Sequence, residues 1–175
     1  EGQRFQIPFG VRFLGPVRLV TLPFFCFLSK ALNKKKTTKY STSSFAIAYP
    51  KRKRWQSLLR GMPFSRMKER VLGKRYELSI AFISSKAMHA LNLTYRKKDS
   101  ATDILSFVLS KNSGELYICL SEVKKHAPEF GMSPAHFLPY LVIHGLVHLK
   151  GYDHGRTMER LERTYCRAFK FSTPS

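Results

Sequence analysis

His144 to His154 reads HGLVHLKGYDH. These eleven residues hold three of the chain's six histidines, two of them four apart. An apolar stripe at helical spacing, Phe137, Leu141, His144 and His148, runs into them from Ser133-Pro134, a good cap and first-turn pair. The spacing predicts a helix to about Leu149, with Gly151 at the position after it that tolerates positive φ. Side chains four apart on a helix project side by side, so both imidazoles can face one atom. The turn GYD can bring His154 back to the same point. Three imidazoles leave a tetrahedral ion one open position, which is the pattern of a catalytic rather than a structural zinc site. Single histidines such as His89, His126 and His136 carry no such reading.

The motif also argues against one chemistry. Zinc proteases of the H-E-x-x-H type place a Glu, their general base, directly after the first histidine. That position here is Gly145. Three neutral imidazoles leave a bound divalent ion its full charge, which suits an anionic substrate such as a phosphodiester.

The composition points the same way. The 175-residue chain carries a formal charge of +20, unevenly placed. Residues 1–70 hold 16 Lys/Arg against 2 acids and residues 71–175 hold 15 against 9. An excess of this size favours a polyanionic partner, nucleic acid before a membrane surface. Residues 11–32 are hydrophobic but are broken by Arg12, Pro16, Arg18 and Pro23, so no stable membrane insertion is expected. Cys26, Cys119 and Cys166 form no CxxC pair, which fits a reducing, cytoplasmic setting. The chain opens on Glu1 rather than Met, which is read as either a fragment or a sequence that begins upstream of the true start.

Working outward, residues 1–43 read as a basic, disordered extension and residues 44–175 as the folded domain. FAIAY (45–49) is β-prone, and PFSRMKERVLG (63–73) reads as an amphipathic helix ending at Gly73. ELSIAFIS (77–84) alternates as a strand. Ser84 then caps a helix with the stripe Met88, Leu91, Tyr95. ILSFVL and ELYICL, joined by KNSG, predict a hairpin. Ser121 is expected to cap a short helix ended by Pro128. A last helix from Arg156 places Met158, Leu161, Tyr165 and Phe169 on one side. The expected fold is α+β: a small mixed β-sheet of about four strands with helices packed around it.

HGLVHLKGYDH closely resembles the signature of the YbeY family, bacterial endoribonucleases that mature ribosomal RNA. LNLTYRKKDSATDILSF (91–107) resembles the family's loop-and-strand motif, and GELYIC (114–119) its Gly-Asp/Glu-apolar strand. The likeness covers about residues 44–170. Ala101 and Val108 stand where the family commonly has proline.

The resemblance implies that His144, His148 and His154 hold one zinc ion per chain. It places Arg96 in the cleft near the metal, gripping phosphate, with Lys97 and Lys98 beside it in the substrate-binding loop. Asp153 is a candidate to orient a ligand imidazole. The function implied is a single-strand-specific, metal-dependent endoribonuclease of ribosomal RNA maturation and ribosome quality control. Its partners would be RNA, ribosomal RNA and the small ribosomal subunit. Two other readings remain: an RNA-binding ribosome-assembly protein with a structural zinc, and a zinc hydrolase of another substrate class.

Overall fold

The computed structural model describes residues 37–42, 44–50 and 53–174. Its elements run β1 (Thr37–Ser41), β2 (Phe45–Pro50), α1 (Lys53–Leu59), α2 (Phe64–Leu72), β3 (Glu77–Phe82) and α3 (Ser85–Arg96). They continue with β4 (Ile104–Ser110), β5 (Ser113–Ile118), α4 (Leu120–His126), a 3-10 turn (Ala127–Phe130), α5 (Pro134–Leu149) and α6 (Arg156–Phe169).

The sheet has five strands in the order β1-β2-β3-β5-β4. The two outer pairings, β1 with β2 and β4 with β5, are antiparallel. The two inner ones, β2 with β3 and β3 with β5, are parallel. The mixed α+β architecture agrees with the sequence, and the hairpin forms where KNSG predicts it. The strand count of about four falls one short, because β1 lies inside the stretch read as a disordered extension. The rest of residues 1–43 lies outside the described residues, except Thr42.

The register explains how the core forms. Ile47 pairs with Ile80, and Ile80 with Leu116, which lines three branched side chains across one sheet face. All three are at most 2 % exposed, and α5 packs on that face. Successive strand residues point to opposite faces, so Ala81, Leu105, Tyr117 and Cys119 face the other way. There they meet Met88 and Leu91 of α3 in a second, smaller cluster. With apolar partners around it, α5 is buried along nearly its whole length.

Two of the three predicted serine caps form. Ser84 Oγ accepts from the Ala87 N–H and Ser133 Oγ from the His136 N–H. Gly73 (φ 96°) and Gly151 (φ 99°) close α2 and α5 in the left-handed region, where a Cβ is disfavoured. Ser121 does not cap α4: Cys119 takes that place, because its N–H is drawn to the Asp103 carbonyl at 2.8 Å as β5 ends. Tyr95 is also displaced from the expected stripe. It is 37 % exposed at the surface, and the buried Asn92 completes the row with Met88 and Leu91.

Candidate metal centre

Helix α5 carries His144 and His148 one turn apart, and the turn after Gly151 returns His154 to them. Ligand atoms of the three imidazoles all lie within 4.8 Å of one another. His144 is buried, His148 half-buried and His154 exposed, so the cluster opens to solvent on one side. Among the described residues it is the one group of His, Cys, Asp and Glu side chains with this arrangement.

Hydrogen bonds fix which nitrogen of each ring is free. His148 Nδ1 lies 2.9 Å from the Tyr152 carbonyl oxygen, which only accepts, so Nδ1 carries the proton. His144 Nδ1 lies 2.7 Å from Oε1 of buried Glu162, whose other oxygen accepts from the Tyr140 hydroxyl at 3.1 Å. That proton is therefore on Nδ1 too. The two Nε2 atoms are left as bare lone pairs facing each other at 3.1 Å. Two lone pairs so placed repel unless a cation lies between them. At Zn–N distances near 2.0–2.1 Å, a tetrahedral ion sets its ligand nitrogens roughly 3.3 Å apart. The donor set thus fits a metal ion that prefers imidazole.

Burial and neighbouring charge disfavour protonation of His148 and His154. Burial, chiefly, then the charges of His144 and His154, push the His148 pKa down to about 4. His154 is lowered by burial and by His144, with a smaller contribution from Arg96. Protons therefore compete with a metal for these two ligands only at lower pH than they would for free imidazoles. Folding stability follows the same sign. The unfolded chain takes up a proton at His148 near pH 6.5, but the folded, metal-free protein does so only near pH 4. Between those values the unfolded state binds more protons, so stability falls as pH falls. Thermal melts of metal-free protein should show a lower midpoint at pH 5 than at pH 7, with a smaller drop in His148→Asn. Equal drops in both proteins would contradict this assignment.

The remaining candidates separate. Arg96, the last residue of α3, is half-buried, with Lys97 in the left-handed conformation just after it. Its charge is the smallest of the contributions acting on His148 and His154, in the lowering direction. Burial works against its own charge, and Asp103 offsets part of that. Asn92 holds the loop beyond it, donating to the Ser100 carbonyl at 2.7 Å. Exposed Lys97 turns back to the Thr94 carbonyl at 3.1 Å, and Lys98 is half-buried in the same loop. Asp153 is exposed and makes no hydrogen bond to a ligand ring; it acts on His154 only through its charge.

Glu162 is the carboxylate that orients a ligand, and the sequence reading passes over it. A signal was present: Met158, Glu162 and Cys166 recur every four residues and form the buried row of α6. An acid on such a row requires a partner. Removing it in Glu162→Ala leaves the His144 Nδ1–H and the Tyr140 hydroxyl without their acceptor. Metal affinity should then weaken by roughly 10- to 100-fold. Titration with a competing chelator measures this, and Glu162→Gln, which keeps one acceptor oxygen, should recover part of the loss.

Gly145 has a steric reason. A Cβ there would lie 2.7 Å from Ile104 Cδ1 and 2.9 Å from Leu116 Cδ2. The residue after the first histidine faces the sheet, so the position of a protease's glutamate is closed.

The chain is similar to several known proteins. The chain is 31 % identical over 130 residues to an endoribonuclease YbeY of Lactobacillus helveticus, covering 64 % of this chain and 75 % of the relative. It is 38 % identical over 112 residues to that of Chromohalobacter salexigens, covering 57 % and 73 %. It is 39 % identical over 104 residues to that of Mycoplasmopsis synoviae, covering 54 % and 67 %. A Thermotoga maritima protein known from a solution structure matches with a TM-score of 0.49 at 24 % identity, over 73 % of this chain and 91 % of that one. The family described as Endoribonuclease YbeY matches residues 39–169, which take in the whole sheet beyond Thr38 and all three clustered histidines. The chain belongs to the YbeY family.

Proposed function

We propose that this protein is a single-strand-specific, metal-dependent endoribonuclease that acts in ribosomal RNA maturation and ribosome quality control. One zinc ion, held by His144, His148 and His154, would serve as its cofactor. The observation that carries the reading is the pair of bare Nε2 lone pairs 3.1 Å apart, locked in place by Glu162 and the Tyr152 carbonyl. When bound, the metal polarises a phosphoryl oxygen or lowers the pKa of its water to about 7.

The chain's own residues do the rest. Arg96 holds the scissile phosphate and offsets the charge that develops on it, a role suited to a guanidinium fork. Lys97 and Lys98 add positive charge on the loop that the strand would follow, and Asp153 tunes His154 through its charge. Glu162 holds the His144 ring, and burial excludes protons from His148. RNA as substrate, with ribosomal RNA and the small subunit as partners, follows from the relatives' names, the family and the excess of cations. Cys119 and Cys166 are free and buried, which accords with a cytoplasmic setting. Among the described residues no helix is long and apolar enough to cross a membrane.

A site with three ligands from the described residues leaves room for substrate, which favours catalysis over a structural zinc. Arg96→Ala tests the division of labour. It should keep its metal but lose roughly 100- to 1,000-fold in kcat. Arg96→Lys should not restore the rate, because an ammonium cannot form the bidentate grip. Full activity in Arg96→Ala would return this residue to an ordinary loop position.

A further inference from the structure

Away from the metal centre, α2 and the end of α6 enclose an open groove of about 440 Å³. Its walls are Arg66, Arg70 and Lys74 on one side and Ala168 and Phe169 on the other, with Glu69 the one acid. Arg66, Arg70 and Lys74 are exposed, and among the described residues no carboxylate pairs with any of them. Phe169 is backed by Phe171, the rings stacked with centroids 5.5 Å apart, so the apolar wall is firm.

The charge arrangement does not serve the helices themselves. Arg66 and Arg70 are four apart, as are Arg156 and Arg160, and Arg163 and Arg167. Like charges at this spacing destabilise a helix, and a solvated face normally alternates signs. Arg66 and Arg156 also sit in first turns, where the helix dipole disfavours cations. Among these arginines only Arg163 forms an ion pair within the described residues, with Glu159 at 3.5 Å. On α6 the four arginines lie off the buried row and are exposed, with Glu159 the one exposed acid among them. A polyanion lying along these helices would relieve each of these costs.

The stretch ahead of β1 does not supply that polyanion. Residues 1–36 hold seven Lys/Arg and one acid, so they share the groove's sign. The groove is also joined to the metal centre. Lys150, two residues past His148, donates to the Val71 carbonyl of α2 at 2.6 Å and lies 5.9 Å from the Tyr165 ring of α6.

We propose that the groove between α2 and α6 is a second binding site for single-stranded RNA. It holds the phosphate backbone of the substrate strand on Arg66, Arg70 and Lys74 and a base against Phe169. This rests on the reading of the protein as a ribonuclease, and it extends the substrate-binding surface beyond Arg96. Successive cations one helical turn apart are about 6 Å from one another along the axis, close to the spacing of phosphates in an extended strand.

The test compares wild type with Arg66→Gln/Arg70→Gln, whose exposed side chains can be changed without disturbing the core. Binding of a long labelled oligouridylate is measured in chelator across a salt series, and cleavage of a tetranucleotide is measured with zinc. The double variant should bind the long strand roughly tenfold more weakly, with the salt slope reduced by about 1.4, or 0.7 for each lost phosphate contact. Its tetranucleotide cleavage should equal that of wild type. Arg160→Gln/Arg167→Gln should shift the slope in the same direction. An unchanged affinity and slope would overturn the proposal. So would losing attachment to anionic phospholipid vesicles while RNA binding stays intact. The chelator arm reads binding without turnover, so a protein that never cuts RNA would sink the ribonuclease reading and leave the groove to its own result.

Discussion

His148→Ala is expected to lose bound metal and RNA cleavage together, with activity falling by at least about 1,000-fold. The size follows from where this side chain sits. It is the central ligand: its Nε2 faces that of His144 at 3.1 Å, and its ring lies 4.6 Å from the rings of both His144 and His154. Removing it leaves two imidazoles, one of them exposed, and two ligands bind a divalent ion far more weakly than three. Loss of the ion removes the Lewis acid and the activated water at once, and each of these supplies several kcal/mol of transition-state stabilisation. The fold should survive. His148 is half-buried and outside the apolar cluster, and the buried Ile143, Leu146 and Val147 keep their places in the core. Elemental analysis, circular dichroism and a cleavage assay on the same preparation read the three outcomes. A variant that keeps its secondary structure, binds no metal and still cleaves at the wild-type rate would refute the metal mechanism.

Gly145→Glu should have the larger effect on stability. This change completes an H-E-x-x-H sequence, and a motif-level argument would expect a peptidase. The structure predicts an unfolded or insoluble protein. Even a bare Cβ at this position meets Ile104 Cδ1 at 2.7 Å and Leu116 Cδ2 at 2.9 Å, with Ser106 Oγ at 3.2 Å. Ile104 and Leu116 are 7 % and 1 % exposed and have little room to move aside. A glutamate adds a buried, unpaired carboxylate to the crowding, and the two penalties together exceed about 4 kcal/mol. Gly145→Ala separates them. Overpacking costs about 1–3 kcal/mol, while replacing a mid-helix glycine returns about 1 kcal/mol. The net should be a loss of up to about 2 kcal/mol, read as a lower melting midpoint with metal binding retained. A stabilised Gly145→Ala would mean that the helix can lift from the sheet.

Much of this could be read in the sequence because local signals agreed with the packing. The stripe leading to His144 and His148, the Ser133 cap and Gly151 are properties of one helix, and its burial did not alter them. The features that were missed depend on other elements. TTKYS has no apolar alternation, so nothing in it announces β1, whose backbone is held by its antiparallel pairing with β2. The start of α4 was set by a hydrogen bond from Cys119 to Asp103, sixteen residues earlier, and not by the nearest serine.

Glu162 was lost among the charges of ERLERT because its role depends on His144, eighteen residues away. Asp153 attracted notice by lying beside His154 in the chain, yet the turn that brings His154 inward leaves Asp153 in solvent. The hydrogen bond from a ligand ring goes to buried Glu162, while Asp153 reaches His154 through its charge.

The central claim is that three histidines on α5 and the turn after it hold an ion that drives RNA cleavage. The most direct measurement is the cleavage of one labelled single-stranded RNA by the full chain, first stripped with chelator and then titrated with zinc. The account predicts no cleavage by the stripped protein, and activity that rises with zinc and saturates at one ion per chain. Cleavage that persists in the stripped protein, or full zinc loading with no cleavage of any single strand, would contradict it.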